Sequence, residues 1–207
     1  MVSGKVTRLV VGLSLVGAVW GSGRAVGQDT YWLEEIKRWD KVIAANPVDA
    51  EAYYQRGNAE SFERPFEAIK NYDKAIELSP KFGEAYSARG RVKFKLKQYS
   101  EAIKDYDKVI ELYPRPDRYR DRAEAKLALG QYSEVIKDYD KAIGLDPNDP
   151  HLYEDRAQAK EALGHDSEAI KDYDKAIELD RRPAERYLWR ASLYTTKFMR
   201  TEPVEAT

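Results

Sequence analysis

The groups in this chain whose spacing could do chemistry are its two histidines, its carboxylates and its long series of bases. His151 and His165 are the only histidines, with Asp149, Glu154 and Asp166 near them in sequence. Neither histidine has a His or Cys three or four residues away, the spacing that puts two metal ligands on one helix face. There is no cysteine, which excludes thiol catalysis, thiolate metal sites and a disulfide frame. No glycine-rich phosphate loop follows a strand. No serine sits in the setting of a nucleophile elbow. No catalytic residue, metal site or cofactor is therefore expected, and the chain does not read as an enzyme.

The bases recur in register with acids. Arg56, Arg89, Arg122, Arg156 and Arg190 form one series, and Asp105, Asp138 and Asp172 repeat with a matching period. Such arginines could form a ladder for phosphate or carboxylate. An unpaired buried charge is costly, however, so bases and acids that repeat together favour internal pairing. Lysines 37, 70, 104, 137 and 171, with 41, 74, 108, 141 and 175, resemble a nucleic-acid stripe when taken alone. Asp40, Asp73, Asp107, Asp140 and Asp174 are interleaved with them, which is the pattern of a solvated face laced with weak ion pairs. Across the chain 35 Lys and Arg face 36 Asp and Glu, so no phosphate-seeking excess remains and nucleic acid is not an expected partner. The tyrosines could stack on unpaired bases, but they recur at core-facing positions, and packing is the expected role.

These side chains must be positioned by repeated helices. The string from Ile69 to Ile76 returns at 103–110, 136–143 and 170–177, and a variant precedes them at 36–43. The aromatic in each copy falls at 39, 72, 106, 139 and 173, a period of 33 or 34 residues. Each copy places Ile, an aromatic and Ile at i, i+3 and i+7, one face of a helix. Each of the first four is followed by a proline, in Asn46-Pro47, Ser79-Pro80, Tyr113-Pro114 and Asp146-Pro147, and proline disfavours helix in the residue before it. A second helix fills each interval and carries Tyr-x-x-Arg at Tyr53, Tyr86, Tyr119, Tyr153 and Tyr187. Ser100, Ser133 and Ser167 stand as N-caps for the helices after the short breaks.

Ala68-x-x-x-Tyr72, Ala102-x-x-x-Tyr106 and Ala169-x-x-x-Tyr173, with Gly57 and Gly90 and a proline closing most units, resemble the tetratricopeptide repeat family. Val135 replaces the alanine before Tyr139, and Arg stands before the small residue where the family usually has Leu. The first unit carries Arg64-Pro65 between its helices, so a distorted turn is expected there. The resemblance implies an all-α, right-handed superhelical solenoid of stacked antiparallel helix pairs. It divides the chain into a half repeat at 28–49, four repeats at 50–82, 83–116, 117–149 and 150–183, a capping helix at 184–200 and a frayed tail at 201–207.

The family commonly holds a peptide or partner segment in a concave groove lined by the first helix of each pair. Carried onto this chain, that geometry implies groove positions at Tyr54, Asn58, Ser87, Arg91, Lys95, Arg120, Glu124, Glu154 and Gln158, with Phe62 a neighbour. One subset of the family clamps a carboxylate terminus with Lys and Asn on the first repeat. Asn58 matches that Asn, but Tyr54 stands where the Lys is needed, so a chaperone-tail clamp is not implied. The expected function is a protein-interaction scaffold binding a protein or peptide. The alternative is a structural component of an envelope or membrane-associated complex, or an array that self-associates through its C-terminal helix.

The first 27 residues contain Lys5, Arg8 and Arg24 and no acid, and an apolar stretch runs from Leu9 to Trp20. A basic start, about a dozen apolar residues and then small residues is the layout of a secretory signal peptide, with cleavage expected before Gln28. This implies export to a periplasm or the exterior. A tilted membrane anchor or an organelle transit peptide are the alternatives.

Overall fold

A computed structural model describes residues 28–180 together with Leu188, Arg190 and Ala191. The expected leader at 1–27 and tail at 201–207 lie outside the described residues. Of the capping helix expected at 184–200, those three residues are described, and they are helical.

Among the described residues nine helices follow one another. They are α1 (Gln28–Ala45), α2 (Ala50–Glu60), α3 (Pro65–Leu78), α4 (Gly83–Lys95), α5 (Tyr99–Leu112), α6 (Pro116–Ala128), α7 (Tyr132–Leu145), α8 (Pro150–Ala162) and α9 (Asp166–Leu179). The odd-numbered helices carry the recurring string. Four of them, α1, α3, α5 and α7, stop two residues short of Pro47, Pro80, Pro114 and Pro147, as the restriction on the pre-proline residue requires.

The buried stripe differs from the sequence expectation. In α5 it consists of Ala102, Asp105, Tyr106 and Val109, and in α7 of Val135, Asp138, Tyr139 and Ala142. These stand at i, i+3, i+4 and i+7, a helical face centred on the small residues and the tyrosine. In α3, α5 and α7 the isoleucines expected at its centre flank it instead, with Ile69, Ile103 and Ile136 half-buried, whereas Ile36 of α1 and Ile170 and Ile177 of α9 are buried as expected. The tyrosines need the depth because the ring crosses beneath the preceding helix. A Cβ built on Gly57 would meet Cε1 of Tyr72 at 2.7 Å, and one on Gly90 would meet that of Tyr106 at 2.8 Å. Burying each ring contributes about 2–3 kcal/mol.

The serine caps do not form as expected. Helices α5, α7 and α9 begin at Tyr99, Tyr132 and Asp166, which puts Ser100, Ser133 and Ser167 inside the first turn. The turn before each is a helix stop with one left-handed residue: Lys97 at φ 61°, Gly130 at φ 70° and Gly164 at φ 74°. In each, the next residue's N–H donates back into the finished helix, as Gln131 does to the Lys126 carbonyl at 3.0 Å. That is the C-terminal capping geometry glycine favours. The first unit departs from this, as Arg64-Pro65 led one to expect. Its turn runs from Ser61 to Arg64 and closes through Arg64 N–H to the Glu60 carbonyl at 2.8 Å.

Helices α2, α4, α6 and α8 each pack on the helix that follows, and each also packs on the helix before it. The stacked pairs make a right-handed superhelical solenoid. Its core runs along the stack as successive clusters: Ala68 and Tyr72 of α3 meet Ala88 and Val92 of α4, and Tyr139 of α7 shares a cluster with Ala123 of α6 and Leu152 of α8. Stacking of this kind buries faces that no single pair could bury alone.

Candidate binding groove

The even-numbered helices carry charge on two sides, and the two sides behave differently. On one side every arginine of the series is paired with an acid. Arg89 sends Nε and Nη2 to buried Asp105 of α5, the latter at 2.5 Å, and Nη1 back to Asp73 of α3, also at 2.5 Å. Arg122 spans Asp138 and Asp107, and Arg156 spans Asp172 and Asp140, in the same way. A planar fork with five donors suits this two-sided grip. A tyrosine three residues earlier lies under each guanidinium, 5.4 Å away for Tyr86 and Arg89. Lys93, Lys126 and Lys160 complete the set, each 2.9 Å from the buried aspartate of its unit. Arg190 reaches Asp174 at 2.8 Å.

The aspartates interleaved with lysine therefore serve the next unit's arginine rather than their own helix. The lysines pair instead with glutamates: Lys70 with Glu67, Lys104 with Glu101 and Lys137 with Glu134, three residues earlier, and Lys74 with Glu77, three residues later.

The first unit solves the same problem with different charges. Arg56 donates to the Asn71 side-chain oxygen at 2.7 and 2.9 Å and to Asp40 of α1 at 2.7 Å. The Asn71 amide donates to Glu60 at 2.6 Å, and Glu60 is only 6% exposed. Glutamate thus stands where later units have lysine, and asparagine where they have aspartate. Burial pushes the Glu60 carboxyl up, against the pull of the Asn71 hydrogen bond and of Arg56 and Arg64.

The other side is irregular. Tyr54 packs against Tyr72 and Phe82, with ring centroids 6.0 and 5.0 Å away. The Tyr72 hydroxyl donates to Asn58 at 3.0 Å. Asn58, Ser61 and Tyr72 line a small cavity of about 80 Å³ together with Ala88, Arg91, Val92 and Lys95. Farther along the array Arg120 of α6 faces a group of acids. Burial, with Glu154 adding to it, pushes the Asp155 carboxyl up to about 6, while Arg120, a hydrogen bond from Tyr139 and then Glu124 act more weakly. Burial also raises Asp121, against Arg118, Arg91 and Arg120. Among the described residues no group of three or more His, Cys, Asp or Glu could hold a metal ion. No described helix is long and apolar enough to cross a membrane.

Residues 83–116 and 150–183 match the tetratricopeptide repeat family, and residues 123–164 match a TPR repeat family. The chain is a tetratricopeptide repeat protein. No curated protein matches it. Among solved structures it is similar to MamA protein at 25% identity, over 77% of this chain and 88% of that one, with a TM-score of 0.67. A MamA from Desulfovibrio magneticus is 23% identical over 76% and 90% of the two chains, with a TM-score of 0.66. YrrB, described as a TPR protein with an unusual peptide-binding site, is 24% identical over 80% of this chain and 87% of that one, with a TM-score of 0.67. These likenesses carry the tetratricopeptide fold.

Within that fold the groove positions expected from the family fall into three groups. Asn58, Arg91 and Lys95 come together around one cavity, with Tyr54 packed beside Tyr72. Arg120, Glu124 and Glu154 meet around Asp155, and Arg120 also lines an open cleft with Asp117, Asp146 and Asp149. Gln158 is exposed. Ser87 is the exception. It is 2% exposed, and its hydroxyl accepts from Arg118 Nη1 of α6 at 3.1 Å, so it braces the wall and offers nothing to a ligand. Ser61, Asp121 and Asp155 belong to the same surroundings and were missed. A signal for the two aspartates existed: each directly follows an expected groove position, where earlier units have Gln55 and Ala88.

Proposed function

We propose that this repeat array is a scaffold that holds a peptide or extended partner segment along the irregular face of its even-numbered helices, by recognition without chemistry. One contrast carries the reading. The repeating bases and acids are consumed in holding units together, whereas Arg91, Arg120, Glu124 and Gln158 change from unit to unit and form no ion pair among the described residues. Residues that repeat serve the architecture, and residues that vary on a surface the architecture does not use are free to serve a ligand. YrrB shares the fold and has a peptide-binding site. At 24% identity that precedent supplies the fold, and the ligand class here is our own reading. The N-terminal 27 residues fit the same proposal as an export signal, which puts the ligand outside the cytoplasm.

The test pans a random peptide display library against the native chain and against a variant carrying Arg91→Ala, Glu124→Ala and Gln158→Ala, with helicity checked by circular dichroism. Peptides held by the native array and lost by the folded variant support the groove. Equal retention by both places the ligand elsewhere and ends the reading.

A second reading, end-to-end assembly, draws on Tyr31 and Leu188, which are 70% and 67% exposed near the two ends of the described array. The ladder opposes it. Where α5, α7 and α9 carry a buried aspartate that takes the arginine of the helix before, α1 carries Arg38, so the last arginine of a preceding copy would meet another arginine. Sedimentation of the full chain decides it: a monomer at micromolar concentration removes the reading, and concentration-dependent oligomers revive it.

A further inference from the structure

Helix α1 belongs to the odd-numbered kind, but it stands first. Helices α3, α5 and α7 each pack between two even-numbered helices, whereas among the described residues α1 packs closely on α2 alone. The difference shows on one stripe. In α3 the stripe is Ala68, Asn71, Tyr72 and Ala75, and all four are buried. The same register in α1 reads Glu35, Arg38, Trp39 and Val42. None of these is buried, and the Arg38 side chain is 66% exposed. Tyr31, one turn before Glu35, is also exposed. Apolar surface that later units cover with a helix is left open here.

The charges on the stripe decide what can cover it. Where α1 has Glu35, the later odd-numbered helices have Ala68, Ala102, Val135 and Ala169. Where it has Arg38, they have Asn71, Asp105, Asp138 and Asp172, each of which takes an arginine from the even-numbered helix before it. An even-numbered helix laid on α1 would bring its arginine onto Arg38, and like charges in a desolvated contact are costly. Within α1, Glu35 and Arg38 satisfy each other poorly. Their closest approach is 3.6 Å, longer than a hydrogen bond, and the guanidinium lies over its own Trp39 ring at 5.2 Å.

The face that fits must set an acid against Arg38 and a base against Glu35. A second α1 does both. In two copies running antiparallel about a two-fold axis between residues 36 and 37, Glu35 of each faces Arg38 of the other. The same axis sets Tyr31 against Val42 and Gln28 against Ala45. Gln28 and Ala45 are the first and last residues of α1, so the two helices overlap along their whole length.

We infer that this protein forms a two-fold dimer through α1, held by two crossed Glu35–Arg38 pairs with Tyr31, Trp39 and Val42 around them. The contact uses the same face on both copies, so it closes at two and leaves nothing for a third to join. That separates it from end-to-end stacking, and it is independent of the groove on the even-numbered helices. The 18 residues of α1 make a strip about 27 Å long and about 10 Å wide. Such a strip falls below the roughly 800 Å² per partner of a standard interface, so the dimer forms and parts readily.

The test is sedimentation equilibrium of the full chain up to about 200 µM, a range suited to weak contacts, with helicity checked by circular dichroism. The native chain is expected to pass from monomer to dimer and stop there. Glu35→Arg sets arginine against arginine and Arg38→Glu sets glutamate against glutamate, so each alone should weaken self-association about tenfold or more. An equal mixture of the two variants should form a mixed dimer, because both crossed pairs are then restored. One chain carrying both substitutions should dimerise like the native protein. A native chain that stays monomeric overturns the proposal and leaves the α1 face to residues 1–27 or to another protein. Species larger than a dimer overturn it in favour of end-to-end growth. Undiminished dimers of the single variants place the contact elsewhere, and a mixture that fails to recover refutes the crossed pairing.

Discussion

Asp138→Asn is the sharpest probe of how the units are joined. Asp138 is 2% exposed, and it holds Arg122 Nη2 at 2.5 Å and Lys126 Nζ at 2.9 Å. Asparagine keeps one oxygen for the arginine, as Asn71 does for Arg56, but turns an amide N–H toward the Lys126 ammonium. Two cations then share a desolvated site with no anion between them. Removing one partner of a buried pair costs about 3–5 kcal/mol, and the retained arginine contact sets the expectation near about 3 kcal/mol. The first unit predicts the remedy. There Arg56, Asn71 and Glu60 sum to zero charge, so adding Lys126→Glu to Asp138→Asn rebuilds that triad in the third unit. Lys126→Glu alone sets two carboxylates against each other and is destabilising. The double variant is expected within about 1 kcal/mol of native, a coupling of at least about 2 kcal/mol. Urea denaturation followed by circular dichroism measures it, fitted with nearest-neighbour terms because repeat arrays depart from two-state behaviour. As a control, Asp107→Asn removes the outer, exposed arm of the same arginine and should cost less than about 1 kcal/mol. A double variant no better than the sum of its singles would refute the charge logic of the triad.

Two further outcomes follow from single positions. Lys97 holds a left-handed conformation that Gly130 and Gly164 supply in the next two units, so Lys97→Gly should stabilise the array by about 0.5–1 kcal/mol in the same urea assay. No change there would mean the turn relaxes in solution. Asp155 has its carboxyl raised from 3.8 to about 6, so the folded state binds more protons than the unfolded one between those values, and stability falls as pH rises through that window. Comparing pH 4.5 with pH 7, Asp155→Asn should remove about 1–2 kcal/mol of that fall, allowing for partial solvent screening. An unchanged slope would show that the proton sits elsewhere in the group.

Much of the fold was legible because the residues that build it repeat. Tyr72, Tyr106, Tyr139 and Tyr173 announce the period, and the prolines mark where four helices end. The pairing of the arginines was legible in principle, since Asp105, Asp138 and Asp172 keep step with them. The outer partners were not. A sequence reading sees Asp107 three residues from Lys104 and assigns it there, while its real partner, Arg122, is 15 residues on and comes near only when units stack. The serine caps failed for a local reason: the left-handed residue at 97, 130 or 164 ends one helix so tightly that the next begins before the serine. Within the groove, the helix face could be assigned but not its depth. Ser87 and Arg91 stand four residues apart on α4, yet the lean of Arg118 from α6 closes over the first and leaves the second open.

The uniform ladder has a consequence for how such a protein can change over generations. Because α5, α7 and α9 share the buried aspartate and Asp107, Asp140 and Asp174 present the same outer connector to the next arginine, an unequal exchange between any two of these three helices yields an array whose joints still fit. Length is then cheap to alter, whereas the acid-free cavity beside Asn58 exists at one junction only and is lost by any exchange that separates α2 from α4. Descendants of this chain should therefore differ readily in the number of units, and the first two should be inherited together.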